Sequence, residues 1–71
     1  MEDNINKPSH YKGEIECIEC IKASMSKIEF MGYLKGNIIK YTWRYRNKNG
    51  LEDLQKCDVY IQWLIKEQSE F

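Results

Sequence analysis

Between Gly36 and Lys48 the chain reads GNIIKYTWRYRNK, with Lys40, Arg44, Arg46 and Lys48 inside the run and Lys35 at its edge. No acidic residue occurs between Glu29 and Glu52. The whole chain is neutral, with 11 basic and 11 acidic residues, so positive charge is concentrated here rather than abundant. Lys40 and Arg44 are four positions apart, with Tyr41 and Trp43 among them, which on a helix sets cations and rings on adjoining faces. Arg and Lys bind phosphate, and aromatic rings stack on bases. The run therefore suits a phosphorylated, ring-bearing ligand held by Lys40, Arg44 and either Arg46 or Lys48, with Tyr41 or Trp43 against a base. The plainer reading is a solvated helix end, where cations are favoured anyway.

Asp53, Lys56 and Tyr60 form a second set. Their spacings of three and four place them along one stripe of a helix, where Asp53 is able to orient Arg44 or Lys40 across the preceding turn and Lys56 to add a phosphate contact. A surface ion pair beside a half-buried tyrosine is the structural alternative. His10 and Tyr11 form a third set near the N-terminus. His10 is the only histidine, so any histidine-dependent proton transfer falls on it.

Cys17 and Cys20 have the C-x-x-C spacing, and His10 and Cys57 could complete a Cys₃His zinc set. Against zinc, Cys17 and Cys20 lie inside a predicted helix and Cys57 on an apolar stripe, so buried or half-buried thiols are the expectation. No G-x-x-x-x-G-K-[ST] loop is present, which excludes a standard P-loop kinase, and there is no H-E-x-x-H. No metal and no cofactor is expected, and catalysis, if any, would rest on positioning and basic side chains. Overall neutrality argues against extended nucleic acid as a partner, because that usually selects a basic domain.

These residues are expected to sit on three helices in an all-α fold. Residues 1–12 read as an irregular arm, with the only proline, Pro8, biasing Lys7 away from helix. Residues 13–71 read as a single helical domain. Ile15, Ile18, Ile21 and Met25, spaced by three, three and four, mark a first amphipathic helix from about Glu14 to Met25. Ser26 with Glu29 forms a capping box that opens a second helix, Lys27 to about Arg46. Its apolar set is Ile28, Met31, Leu34, Ile38 and Tyr45, widened by Phe30, Ile39, Tyr41 and Trp43, which implies contact on more than one side. Gly32 and Gly36 lie inside it at about 1 kcal/mol each relative to Ala, and are read as tight helix packing or as room for another backbone or a ligand. Asn47-Lys48-Asn49-Gly50 is a break. A third helix follows from about Leu51 to Gln68, with Leu54, Cys57, Ile61, Leu64 and Ile65 as its core stripe.

A chain of 71 residues is one domain, in the range where a lone core gives only about 3–5 kcal/mol. Two Trp, five Tyr and two Phe, added to many Ile, exceed what so small a monomer readily covers, so a homo-oligomer is expected. No segment approaches the ~20 apolar residues of a membrane span, and the first residues lack the apolar core of a signal peptide. No membrane contact is expected, and the cytoplasm is the expected location. Three cysteines, an odd count, argue against a disulfide framework.

The segments KPSHYKGEIECIE and GNIIKYTWRYRNKNGLEDLQKCDVYIQWLI carry an ordered pattern. It runs His10-Tyr11, Ile15-Glu16, Gly36-Asn37-x-x-Lys40-Tyr41-x-x-Arg44, Lys48, Asp53-Leu54-x-Lys56 and Tyr60. This pattern resembles a family of small phage-encoded proteins of uncertain function, often called nucleotide kinases, which share a module with the metal-independent nucleotide kinase of T7-like phages. The likeness spans residues 7 to about 66. It implies a phage origin, a helical oligomer and a link to nucleotides, while the kinase attribution comes from a longer relative.

Together these readings give a homo-oligomeric binder of a nucleotide or another phosphorylated small molecule. Its expected ligand-binding residues are His10, Tyr11, Lys40, Tyr41, Arg44, Lys48, Asp53, Lys56 and Tyr60. Lys40, Arg44 and Lys56 would take phosphate, Tyr41 or Tyr11 the base, and Asp53 would hold the cations. Its use would be in nucleotide metabolism or in sequestering a host nucleotide signal. A kinase acting on nucleoside monophosphates without a P-loop is the enzymatic version. A small inhibitor that docks a host protein through the basic-aromatic surface is the rival from another class.

Overall fold

The computed structural model describes the backbone from Ser9 to Phe71 and the side chains from Glu16 onward. Three helices carry the fold: α1 (Ser9–Ala23), α2 (Lys27–Arg44) and α3 (Leu51–Ser69), with a 3₁₀ turn at Tyr45–Asn47. No strand occurs among the described residues. α1 begins at Ser9, inside the stretch expected to be an irregular arm. A proline restricts the residue before it and is tolerated at the start of a helix, so the chain after Pro8 is free to turn helical. The earlier part of the arm lies outside the described residues.

α2 starts where its capping box requires. The Ser26 hydroxyl accepts from the Glu29 N–H at 3.1 Å, and the Glu29 carboxylate accepts from the Ser26 N–H at 2.8 Å. Two orphan donors are thereby satisfied at the point where α1 hands over to α2. At the other end α2 stops at Arg44, two residues earlier than expected, because the last turn tightens to 3₁₀. The Gly50 N–H then returns to the Tyr45 carbonyl at 2.9 Å. Gly50 takes φ +58°, a left-handed backbone that a side chain would strain, and so turns the chain into α3.

α2 and α3 form an antiparallel hairpin, since Arg44 meets Asp53 at one end while Lys27 meets Glu67 at the other. α1 lies against this pair through the side of Ile18 and Ile21, which face Tyr33 and Tyr60 across a small cleft. The apolar core is sparse. Among the described residues only Phe30, Leu34 and Cys57 are buried apolar side chains, with Leu34 fully enclosed. Several residues expected to be core are on the surface. Ile28 is 62 % exposed, Ile65 55 %, Leu54 39 % and Ile61 37 %. Their periodicity is real, but three short helices cannot surround a stripe that wide. Among the described residues Gly32 and Gly36 do not mediate packing either, since a Cβ at either position meets nothing within 4 Å.

Cys57 is held in place by polar contacts as well as by packing. Its thiol lies 3.2 Å from the Thr42 hydroxyl, which itself donates to the Ile38 carbonyl at 2.6 Å. Cys17 and Cys20 are exposed, which corrects the expectation of buried or half-buried thiols. α1 offers Ile18 and Ile21 to the hairpin and leaves its cysteines accessible.

Candidate functional site

The α2–α3 corner gathers the basic-aromatic residues. Tyr41 lies near the end of α2, and three cations surround its ring. Lys40 Nζ and Arg44 Cζ are each 4.8 Å from the ring centroid, and Lys56 Nζ, arriving from α3, is 5.8 Å away. Lys40 precedes Tyr41 and Arg44 follows one turn on, so α2 alone supplies two of them. Lys56 joins because α3 runs back alongside. The ring quadrupole favours cations near its face, which offsets part of the repulsion among three positive groups.

Asp53 organises the corner. It is fully buried in the first turn of α3. Arg44 donates to it twice, Nε to Oδ2 at 3.2 Å and Nη2 to Oδ1 at 3.1 Å. The Asn49 backbone N–H and side-chain amide donate to the same carboxylate at 3.2 and 3.3 Å. The hydrogen bonds from Arg44 hold the Asp53 carboxyl below the usual carboxylate range, with Asn49 adding to them and burial opposing. The same bonds raise Arg44 above its ordinary value. Arg44 is thus a fixed cation, with two of its five N–H donors spent on Asp53 and its guanidinium over the Tyr41 ring. Lys56 shares its charge with the exposed Glu52 at 3.4 Å, one helical turn back. Lys40 is exposed and makes no ion pair among the described residues.

Aromatic rings extend the corner into a surface. Tyr41 stacks on Tyr60 with centroids 5.7 Å apart and planes at 19°. Tyr60 meets Trp63 edge-on at 5.4 Å and Tyr33 at 6.3 Å. Lys40, Tyr41, Arg44, Asp53, Lys56 and Tyr60 therefore come together in one place. Lys48 does not join them by any contact: it is exposed in the turn, where its N–H reaches the Tyr45 carbonyl. The backbone of His10 and Tyr11 is in the first turn of α1, and their side chains lie outside the described residues. No group of three or more His, Cys, Asp or Glu able to hold a metal occurs among the described residues.

A second charged cluster escaped sequence reasoning. Glu67, 5 % exposed near the end of α3, pairs with Lys22 of α1 at 2.8 Å and with Lys27 of α2 at 3.1 Å. Hydrogen bonding from Lys22 holds its carboxyl below the usual range, with Lys27 adding and burial opposing. One carboxylate so ties all three helices together. The signal was available in principle: an antiparallel hairpin closed at 44 and 53 brings position 27 near 67.

The profile of DUF3310, a family described only as being of unknown function, matches residues 5–62. The nucleotide kinase gp1.7 of Escherichia phage T7 is 39 % identical over 74 aligned residues, covering 96 % of this chain and 38 % of the relative. The gene 1.7 protein of Enterobacteria phage T3 is 36 % identical over 72, covering 93 % of this chain and 44 % of the relative. The chain thus spans about two fifths of the length of these curated relatives. No solved structure matches. The chain belongs to the DUF3310 family.

Proposed function

We propose that this family member is a phage nucleotide-binding protein that works as a homo-oligomer in the cytoplasm of the infected cell, with its site at the α2–α3 corner. The observation that carries the reading is the convergence of Lys40, Arg44 and Lys56 around the Tyr41 ring. Three cations in one small place suit a phosphate chain, and Arg44, braced by Asp53, is oriented before any ligand arrives. Pre-orientation of that kind lowers the entropy lost on binding. The edge of the Tyr41–Tyr60–Trp63 surface offers a base somewhere to lie. Lys40 is the unpaired donor and supplies the phosphate contact least entangled with the fold. The ligand's role lies in nucleotide metabolism or in sequestering a host nucleotide signal.

The T7 relative's name makes phosphoryl transfer the activity to assay. In that reaction a triphosphate donor gives its γ-phosphoryl group to a nucleoside monophosphate, yielding two diphosphates. Incubation of dTMP or dGMP with a triphosphate separates a kinase, which makes the diphosphate, from a binder, which does not.

Native mass spectrometry with mono-, tri- and cyclic nucleotides tests the binding itself. The expected result is uptake of one nucleotide class at fixed stoichiometry, lost in Lys40→Ala. A folded protein that takes up none of them would overturn the reading.

A further inference from the structure

One side of α2 has no partner among the described residues. Ile28, Gly32, Gly36, Ile39 and Trp43 follow one another at spacings of four, four, three and four, which confines them to a single stripe of the helix. Ile28 is 62 % exposed, Ile39 55 % and Trp43 86 %. The space over both glycines is open. The stripe runs into a groove of about 490 Å³ between α2 and α3, whose walls include Met31, Ile38, Ile61, Leu64 and Ile65.

We propose that this face docks a second copy of the chain, α2 against α2 and antiparallel, about a two-fold axis passing between Lys35 and Gly36. The spacing carries the orientation. Reversal about that midpoint places Ile28 on Trp43 and Gly32 on Ile39. A two-fold interface must be self-complementary, and this stripe is. Each copy's Ile39 enters the open space over the Gly32 it faces, and each Trp43 covers the Ile28 it faces. A glycine inside a helix is unfavourable relative to alanine, and close approach of another backbone is the use that makes the smallness matter.

The occupant is a second copy because the chain's own balance calls for one. Its buried apolar set, among the described residues, is Phe30, Leu34 and Cys57 alone. Domains of this size commonly make up such a deficit by associating. The exposed apolar side chains of the stripe and groove offer on the order of 600 Å² per copy, against the ~800 Å² per partner of a standard interface. Lys35, at the margin of the groove, is long enough to carry its ammonium group out to water.

The test is the subunit number of the full chain on the order of 100 µM, by sedimentation, for wild type and Gly32→Leu. Leucine is the better helix former, so lost association cannot come from a weakened α2. The expected result is a dimer, or a higher assembly built from it, that Gly32→Leu takes apart while far-UV helicity is kept. Register is read from Ile28→Cys and Trp43→Cys, each made with Cys17→Ser and Cys20→Ser. Mixed and mildly oxidised, the two chains should cross-link 28 to 43 in preference to 28 to 28. A monomeric wild type, a Gly32→Leu protein that assembles as well as wild type, or a dominant 28–28 bridge would each overturn the proposal.

Discussion

Arg44, the last residue of α2, and Asp53, in the first turn of α3, meet through two parallel hydrogen bonds that close the turn between the helices. Asp53 is fully buried, while Arg44 keeps one side toward solvent. The pair braces the hairpin and, by the same contacts, fixes one cation beside the Tyr41 ring. Removing only the arginine would leave a buried carboxylate with Asn49 as its remaining partner, the arrangement that makes broken buried pairs costly. Arg44→Ala is expected to lower Tm by roughly 10 °C. Arg44→Lys recovers little of this, because an ammonium group cannot supply the two-point fork. Thermal unfolding followed by circular dichroism checks both, and an Arg44→Ala melt within a degree of wild type would show that the pair does not brace the turn.

Because Arg44 serves the fold as well as the proposed site, it is a poor probe of binding, and Lys40 is the better one. Lys40 is exposed and unpaired among the described residues, so Lys40→Ala should leave Tm unchanged. A charge-assisted contact to phosphate lost on its own corresponds to about 10- to 100-fold in affinity. Titration calorimetry with whichever nucleotide class binds is expected to show that loss for Lys40→Ala and a smaller one for Lys56→Ala, whose charge is already shared with Glu52. Equal affinity in the Lys40→Ala protein would move the phosphate site elsewhere.

The helices were legible because their signals are local. The Ser26–Glu29 box and Gly50 each act within a few residues, and α2 and α3 begin where those residues place them. The corner cluster was legible for a related reason: Lys40, Tyr41 and Arg44 share one helix, and a short turn leaves Asp53 and Lys56 little choice but to face them. Exposure was not legible. Ile28 and Ile65 carry core periodicity yet face outward, because period says which residues share a face and not whether anything covers it. The Lys22–Glu67–Lys27 cluster was only half legible: the hairpin register brings 27 near 67, but Lys22 joins only through the packing of α1, which no local signal gives.

Thiol chemistry reads out that arrangement directly. Cys17 and Cys20 are exposed on α1, whereas Cys57 is buried beneath Thr42 and the Ile38 carbonyl. An aromatic disulfide reagent should therefore label two thiols per native chain quickly, and the third only as fast as the hairpin opens. Thr42→Val removes the hydroxyl that lies against the sulfur and should speed the third reaction without touching the first two. Three equally fast thiols in the native protein would contradict the packing of α3 on α2.

Acid should unfold the protein through Glu67 and Asp53. Both carboxyls are held below their ordinary values of 4.5 and 3.8, so the folded chain binds these protons more weakly than the unfolded one. Their contribution is complete above about pH 5 and is lost as pH falls through 4 toward the folded values. Lys22 and Arg44 are raised above their ordinary values instead, so their contribution is complete at neutral pH and is lost only in strong base. Stability should accordingly be level from about pH 6 to 9 and fall on the acid side first. Glu67→Gln isolates one of the two groups: the amide accepts weakly from Lys22 and Lys27 and has no proton to gain. Its Tm should lie below wild type at pH 7, and the gap should narrow as pH falls below the ordinary carboxylate range and the native carboxylate is itself neutralised. Melting curves at a series of pH values decide it, and a gap that stays constant into acid would mean that the Glu67 charge does not tie the three helices together.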